Sequence, residues 1–266
     1  MPNDVSHSDT NLNEMMSNPC LSQTESVVLL PHTAVGEAVE RASRAKLYHR
    51  LGYRVFVSTD SQLKSNPEAF ELLFQKNPFI RGEKSPDPSD LVDGIVTELN
   101  PFRRNSFNPR ILQRDQFSAE QRRMEIHYRP QVRPELSSAT LLDLNISSYR
   151  LNGGRDNFEK VEDFVRAHYP DGIAIRRKQY DVEVRGFEIF PVAEEFPFVE
   201  YESIYDYCDI VASCKRVVCF QTGAQYLACA YCSSIDLLRT ENHNSRLNSR
   251  NRLLYFDCEI KDIDLR

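Results

Sequence analysis

The residues with the clearest capacity for chemistry lie in VVCFQTGAQYLACAYC, Val217 to Cys232. An apolar run stops at Gln221-Thr222-Gly223-Ala224, and a pattern of small and apolar residues suited to a helix follows. The start of a helix offers backbone N–H groups without intrahelical partners, set at the positive end of the helix dipole. Such a start can hold a phosphate. Thr222 can cap the helix or give its hydroxyl to a phosphate oxygen, and Gly223 and Ala224 permit a close approach to the backbone. The plain alternative is an ordinary strand-to-helix turn capped by Thr222, and the stretch by itself leans towards it. The same stretch holds Cys229-Ala-Tyr-Cys232. A redox pair belongs at a helix N-terminus, where the dipole lowers the thiol pKa, whereas this pair falls inside or late in the expected helix. Structural zinc needs four ligands, and no second Cys-x-x-Cys or His pair is in view. These cysteines therefore read as buried thiols, with no metal.

Three further groups are candidates. Glu37 follows Gly36 at the start of an expected helix. It can act as a general base towards a hydroxyl, or it can simply complement the helix dipole. His32 stands in the same loop and is a second base candidate, the alternative being a loop histidine without a role. Ser148, Arg150 and Arg155 follow an expected strand. Arginine there suits a diphosphate leaving group, and a solvated loop is the competing reading.

The elements that would position these residues alternate. Val27–Leu30 is a short apolar run of buried-strand length, a loop reaches Gly36, a helical pattern runs from Glu37 to Gly52, and Arg54–Ser58 returns as a strand. Strand–helix–strand units imply a parallel sheet. NPEAFELLFQKNPFIRG reads as a helix that Pro78 stops, EKSPDPSDLVDG as a loop, GIVTEL as a strand, FSAEQRRMEIHY as a short helix and RPQVRPE as a linker. A second series opens with a strand over Leu141–Ile146. The helix DNFEKVEDFVRAHYP follows, with Asp156 as its expected N-cap. Then come strands GIAIRR and GFEIFPV, helix ESIYDYCDIVASC, strand RVVCF, the opening turn and helix, and strands SSIDLLR and LLYFDCEI. Two α/β lobes are expected, over residues 26–134 and 135–266, behind a disordered tail over 1–25. Open parallel sheets bind ligands at the carboxyl ends of their strands, so a site between the lobes is expected.

Composition sets the outer bounds. The 266 residues are 41% hydrophobic and 27% charged, as in ordinary globular chains. A net charge of -6 argues against a broad nucleic-acid-binding surface. No apolar run approaches the roughly 20 residues that span a bilayer. The polar N-terminus has neither a basic nor an apolar signal region, and the 7 cysteines are an odd number, so free thiols in a reducing cytoplasm are expected.

The order of these features resembles glycosyltransferases with two Rossmann-like lobes facing a central cleft (the GT-B class), in particular the bacterial heptosyltransferase family. That family has a first strand, a Gly-Asp loop and a helix; AVGEAVERASRA matches it with Gly36-Glu37. It also has a strand followed by Asp-Thr-Gly and a helix bearing a His; VVCFQTGAQYLACA matches with Gln221-Thr222-Gly223, and Tyr226 stands where the His would fall. DLNISSYRLNGGRDNFEKVEDFVRAHYP looks like the first strand and helix of the family's second lobe, which presents Ser, Arg or Lys to the donor. The resemblance implies transfer of a sugar from a nucleotide-diphosphate-sugar donor to a glycan or other hydroxyl acceptor, without a mandatory metal or other cofactor. Gln221, Thr222, Gly223, Ala224, Ser148, Arg150 and Arg155 would hold the donor diphosphate, with Glu37 or His32 as base. The alternative is an inactive nucleotide- or glycan-binding module on the same fold.

Overall fold

A computed structural model describes residues 25–94, 112, 116–147, 155–178, 187–189, 191–220, 222–239 and 257–265. Its strands form two parallel sheets. The first has the order β3-β2-β1-β4, from β1 (Ser26–Leu30), β2 (Arg54–Ser58), β3 (Ile80–Lys84) and β4 (Leu91–Gly94). The second has the order β12-β11-β10-β5-β7-β9. It is built from β5 (Thr140–Asp143), β7 (Ile173–Arg177), β9 (Phe198–Tyr201), β10 (Arg216–Phe220), β11 (Ser234–Arg239) and β12 (Glu259–Asp264). A small antiparallel ribbon pairs β6 (Asn145–Ser147) with β8 (Phe187–Ile189).

The central strands are apolar throughout because both sheet faces are covered. Val27, Val28 and Leu29 of β1 and Val217, Val218, Cys219 and Phe220 of β10 are fully buried. Helix α1 (Val35–Arg50) joins β1 to β2 and buries Ala38, Ala42, Ala45, Leu47 and Tyr48. It ends where the sequence places the stop, at Gly52, whose φ of 91° lies in the left-handed region.

Several elements differ from the sequence reading. The expected helix after Pro67 is α2 (Pro67–Phe70), which relaxes into a π-type turn over Glu71–Gln75 before β3. EKSPDPSDLVDG is not all loop: β4 begins at Leu91, pairing Val27 with Leu91 and Val28 with Val92. The rest of GIVTEL lies outside the described residues. Helix α3 (Ala119–Arg122) is a single turn held by a reciprocal Ser118–Gln121 cap. Helix α4 (Arg155–His168) begins at Arg155, so Asp156 is inside it rather than at its cap. The expected strand over Leu141–Ile146 divides, because β5 stays in the large sheet and β6 leaves to form the ribbon. The last strand lies over Glu259–Asp264, later than LLYFDCEI suggested, and β9 has no counterpart in the sequence reading because it is a four-residue edge strand with no fully buried residue.

The sheets are joined firmly. The segment after α3 runs along helix α5 (Ile204–Ser213): the Tyr128 hydroxyl and the Gln131 amide both donate to Asp209 Oδ1, each at 2.8 Å, and the Arg133 amide donates to Ser213 Oγ at 2.7 Å. From the first sheet's side, Glu68 Oε2 accepts the Ile204 amide at 3.0 Å, capping α5. One hydrophobic cluster includes Leu29, Ala38 and Tyr48 together with Tyr207, Val217 and Tyr226.

Candidate functional site

In each sheet the strand order reverses once. The chain moves outward one way from β1 and the other way to β4, and likewise on either side of the β5/β10 pair. Such switch points leave a crevice at the carboxyl ends of the strands, and ligands of open α/β sheets bind there. Helix α1 starts just beyond β1, and helix α6 (Gly223–Tyr231) starts just beyond β10. Both helix starts therefore belong to switch points.

These two starts touch. A β-carbon on Gly36 would stand 2.6 Å from Cδ2 and 2.8 Å from Cε2 of Tyr226. One on Gly223 would stand 3.2 Å from Cβ of Val35 and 3.6 Å from the Gly36 amide nitrogen. Neither glycine has a positive φ, so the requirement is space, not backbone conformation. Tyr226, where the resembled family carries a His, packs its ring on the bare backbone at Gly36. Two positive dipole ends thus meet at one place, and together they favour an anion more than either alone.

Thr222 is the N-cap of α6 and its Oγ1 accepts the Ala224 amide at 3.3 Å, while its own amide donates to the Phe220 carbonyl at 2.8 Å. The capping alternative is thus realised in the structure, and a ligand at this turn would displace the Thr222–Ala224 bond or use the amides beside it. Gln221, Ser148 and Arg150 lie outside the described residues. Arg155 opens α4, and its side chain is likewise outside the description.

Of the base candidates, Glu37 sits in the first turn of α1 and forms an ion pair with Arg41 one turn on. His32 is exposed in the loop, its Nδ1 3.0 Å from Thr33 Oγ1.

Two buried carboxylates at the carboxyl ends of strands were not singled out from the sequence. Asp93 of β4 accepts from the Tyr48 hydroxyl at 2.8 Å and from Arg44 Nη1 at 3.1 and 3.3 Å, and Arg41 Nε donates to its carbonyl at 3.2 Å. Arg44 also pairs with Glu40 at 2.6 Å. Arg41 thus lies between Glu37 and Asp93, and the network fixes the face of α1 that carries Glu37. Asp143 of β5 accepts from Tyr207 at 2.7 Å and from the Asn145 amide group at 2.6 Å. Burial pushes the Asp143 carboxyl up, and the hydrogen bonds from Tyr207 and Asn145 oppose that shift. The available signal was an acid closing an apolar run, in LVDG and in LLDLN.

A third residue overlooked in the sequence is Gln225. It is 3% exposed, and its Oε1 is buried without a hydrogen-bond partner among the described residues.

Cys229 falls in the last turn of α6 and Cys232 is its C-cap; both are buried and neither forms a disulfide among the described residues. Burial pushes the Cys214 thiol up to about 12 and raises that of Cys219 as well. Among the described residues no group of three or more His, Cys, Asp or Glu is placed to hold a metal ion. One Asp-x-Asp spacing, a common metal-holding pattern in sugar transferases, does occur at Asp262-Ile263-Asp264 in β12, where Asp262 pairs with Arg239 at 2.7 Å. Among the described residues no helix is long and apolar enough to cross a membrane.

No protein-family model matches the sequence, and no curated protein matches it. Solved structures do. The chain is similar to the iron-containing dodecameric glycosyltransferase TibC of enterotoxigenic E. coli, with 11% identity and a TM-score of 0.51 over 84% of this chain and 61% of that one. It is also similar to TibC in complex with ADP-D-β-D-heptose, with 9% identity and a TM-score of 0.48 over 80% and 59%. A family 9 glycosyl transferase from Veillonella parvula gives 9% identity and a TM-score of 0.49 over 90% and 86%. This chain spans about three fifths of the length of TibC. At such identities the likeness is one of fold: two parallel α/β sheets with helices, arranged as in the glycosyltransferase TibC.

Proposed function

We propose that the chain is a glycosyltransferase that takes a nucleotide-diphosphate sugar as donor and a hydroxyl compound as acceptor. The supporting observation is the meeting of two helix starts, from two switch points, at Gly36 and Gly223. A diphosphate is the donor group such an arrangement suits best, because its negative charge grows as the sugar departs. In transfer, the acceptor oxygen bonds to the anomeric carbon, and the bond from that carbon to the diphosphate oxygen breaks with its electron pair. The acceptor proton passes to a base. Glu37 is the proposed base and His32 the alternate. Arg41, fixed by Asp93, orients the Glu37 carboxylate. Thr222, Gly223 and Ala224, with Gln221, Ser148, Arg150 and Arg155, are the proposed diphosphate contacts. The lobe boundaries near residue 134, a metal-independent reaction and a cytoplasmic setting belong to the same proposal, the last supported by buried free thiols.

A second reading has its own support. Glu37 is already paired and Tyr226 fills the space over Gly36, which suits a module that binds a nucleotide or glycan without turnover. Glu37→Gln separates the two. Transfer lost by about 100-fold or more with donor affinity kept identifies the base. Unchanged transfer removes Glu37 from that role, and no transfer by the wild type despite donor binding selects the binding module.

A further inference from the structure

Thr222-Gly223-Ala224-Gln225 has the pattern of a reciprocal helix cap, in which the N-cap side chain takes the amide of the third helical residue and the side chain of that residue reaches back to the N-cap amide. Neither half is made. Thr222 Oγ1 takes the Ala224 amide instead of that of Gln225, and the Thr222 amide is already given to the Phe220 carbonyl at 2.8 Å. Gln225 Oε1 is left buried and unpartnered among the described residues, in a side chain only 3% exposed. Side chains on a helix lean towards its N-terminus, so a third-position glutamine is carried back over the first turn, where α6 meets α1. A buried acceptor without a donor is costly, and a bound ligand can supply that donor.

We propose that Gln225 is a specificity residue of this site, its Oε1 accepting a hydrogen bond from a hydroxyl of the bound donor. The proposal rests on the nucleotide-sugar reading above and deepens it. The chemistry narrows the ligand atom. Oε1 can only accept, and phosphate oxygens also accept, so the partner is not the diphosphate. It is a hydroxyl attached close to the diphosphate, on the ribose or on the transferred sugar. A site built around such a hydroxyl discriminates strongly against analogues that lack it, because the acceptor is then stranded again.

The test uses Gln225→Leu and Gln225→Met in the full chain, with two readouts. The first needs no ligand. Removing a stranded acceptor while keeping an apolar side chain raises the urea midpoint of the free protein; a lower midpoint in both variants shows that Oε1 is satisfied and overturns the proposal. The second is calorimetry with ADP, GDP, UDP and CDP, their 2′-deoxy and 3′-deoxy forms, and the matching nucleotide sugars with single deoxy positions. Wild type is expected to lose about 10- to 100-fold in affinity for one deoxy compound, and the variants to bind parent and deoxy compound alike. Discrimination within the nucleoside diphosphates places the hydroxyl on ribose; discrimination only among nucleotide sugars places it on the transferred sugar. Variants that discriminate as wild type does overturn the role of Gln225 while leaving the nucleotide-sugar reading intact. A wild type that binds none of these compounds overturns both.

Discussion

Gly36→Ala tests the contact on which the site depends. The added β-carbon would stand 2.6 Å from Tyr226 Cδ2 and 2.8 Å from Cε2, closer than carbon atoms approach, so the Tyr226 ring or helix α6 must move. Tyr226 is itself buried in the shared core, so it has no open space to enter. Overpacking of this kind costs about 1–3 kcal/mol. Alanine is favoured over glycine in a helix by at most about 1 kcal/mol, and less in the first turn. The expected net loss is therefore about 1–2 kcal/mol. Tyr226→Leu removes the opposing ring, and in that background the same substitution is expected to be neutral or to stabilise by up to about 1 kcal/mol. The coupling in a double-mutant cycle is then about 1–3 kcal/mol, within the range for residues in contact. Urea unfolding of the four proteins at constant m gives each value. Equal effects of Gly36→Ala in both backgrounds refute the contact, and with it the meeting of the two helix starts.

Two further outcomes follow from the charges and thiols. Burial, more than any neighbour, lowers the pKa of His127; Glu125 opposes the shift and Lys46 adds to it. A histidine depressed in the folded state contributes fully above its unfolded pKa of about 6.5 and loses that contribution as pH falls through it. His127→Gln is expected to flatten the stability profile as pH falls below about 6.5, by at most about 1.4 kcal/mol per pH unit; a parallel profile contradicts this. Cys258 has a lowered pKa, chiefly through a hydrogen bond from the Cys229 thiol, and among the six described cysteines it alone is not buried. Mass-spectrometric mapping after brief iodoacetamide treatment at pH 7.5 is expected to find Cys258 alkylated first among these six, and more slowly in Cys229→Ala.

The architecture was legible because its signals are local. RVVCF and VVLL read as buried strands since both sheet faces are covered, and Gly52 stopped its helix through a φ that other residues avoid. The order of strands and helices carried the GT-B likeness, which the similarity to TibC bears out for the fold. What escaped depends on partners distant in sequence. Asp93 reads as a loop acid until Tyr48, Arg41 and Arg44 of α1 surround it. Gly36 looks like a helix-start glycine until Tyr226 arrives from the other sheet. Gln225 looks like an ordinary capping residue, and only the bond from the Thr222 amide to Phe220 shows that its usual partner is taken. GFEIFPV was read as a strand and holds β8, but its antiparallel pairing with β6 was missed because a three-residue pair leaves no period in the sequence.

The most direct measurement is calorimetric titration of the full chain with ADP, GDP, UDP and CDP, in the presence and absence of EDTA, with Gly223→Val alongside. Binding of at least one nucleoside diphosphate is expected, unchanged by EDTA and weakened by about tenfold or more in Gly223→Val, where the larger side chain crowds the meeting of the helices. No binding of any nucleoside diphosphate, or binding that Gly223→Val leaves untouched, would contradict a donor site at the meeting of the two helix starts.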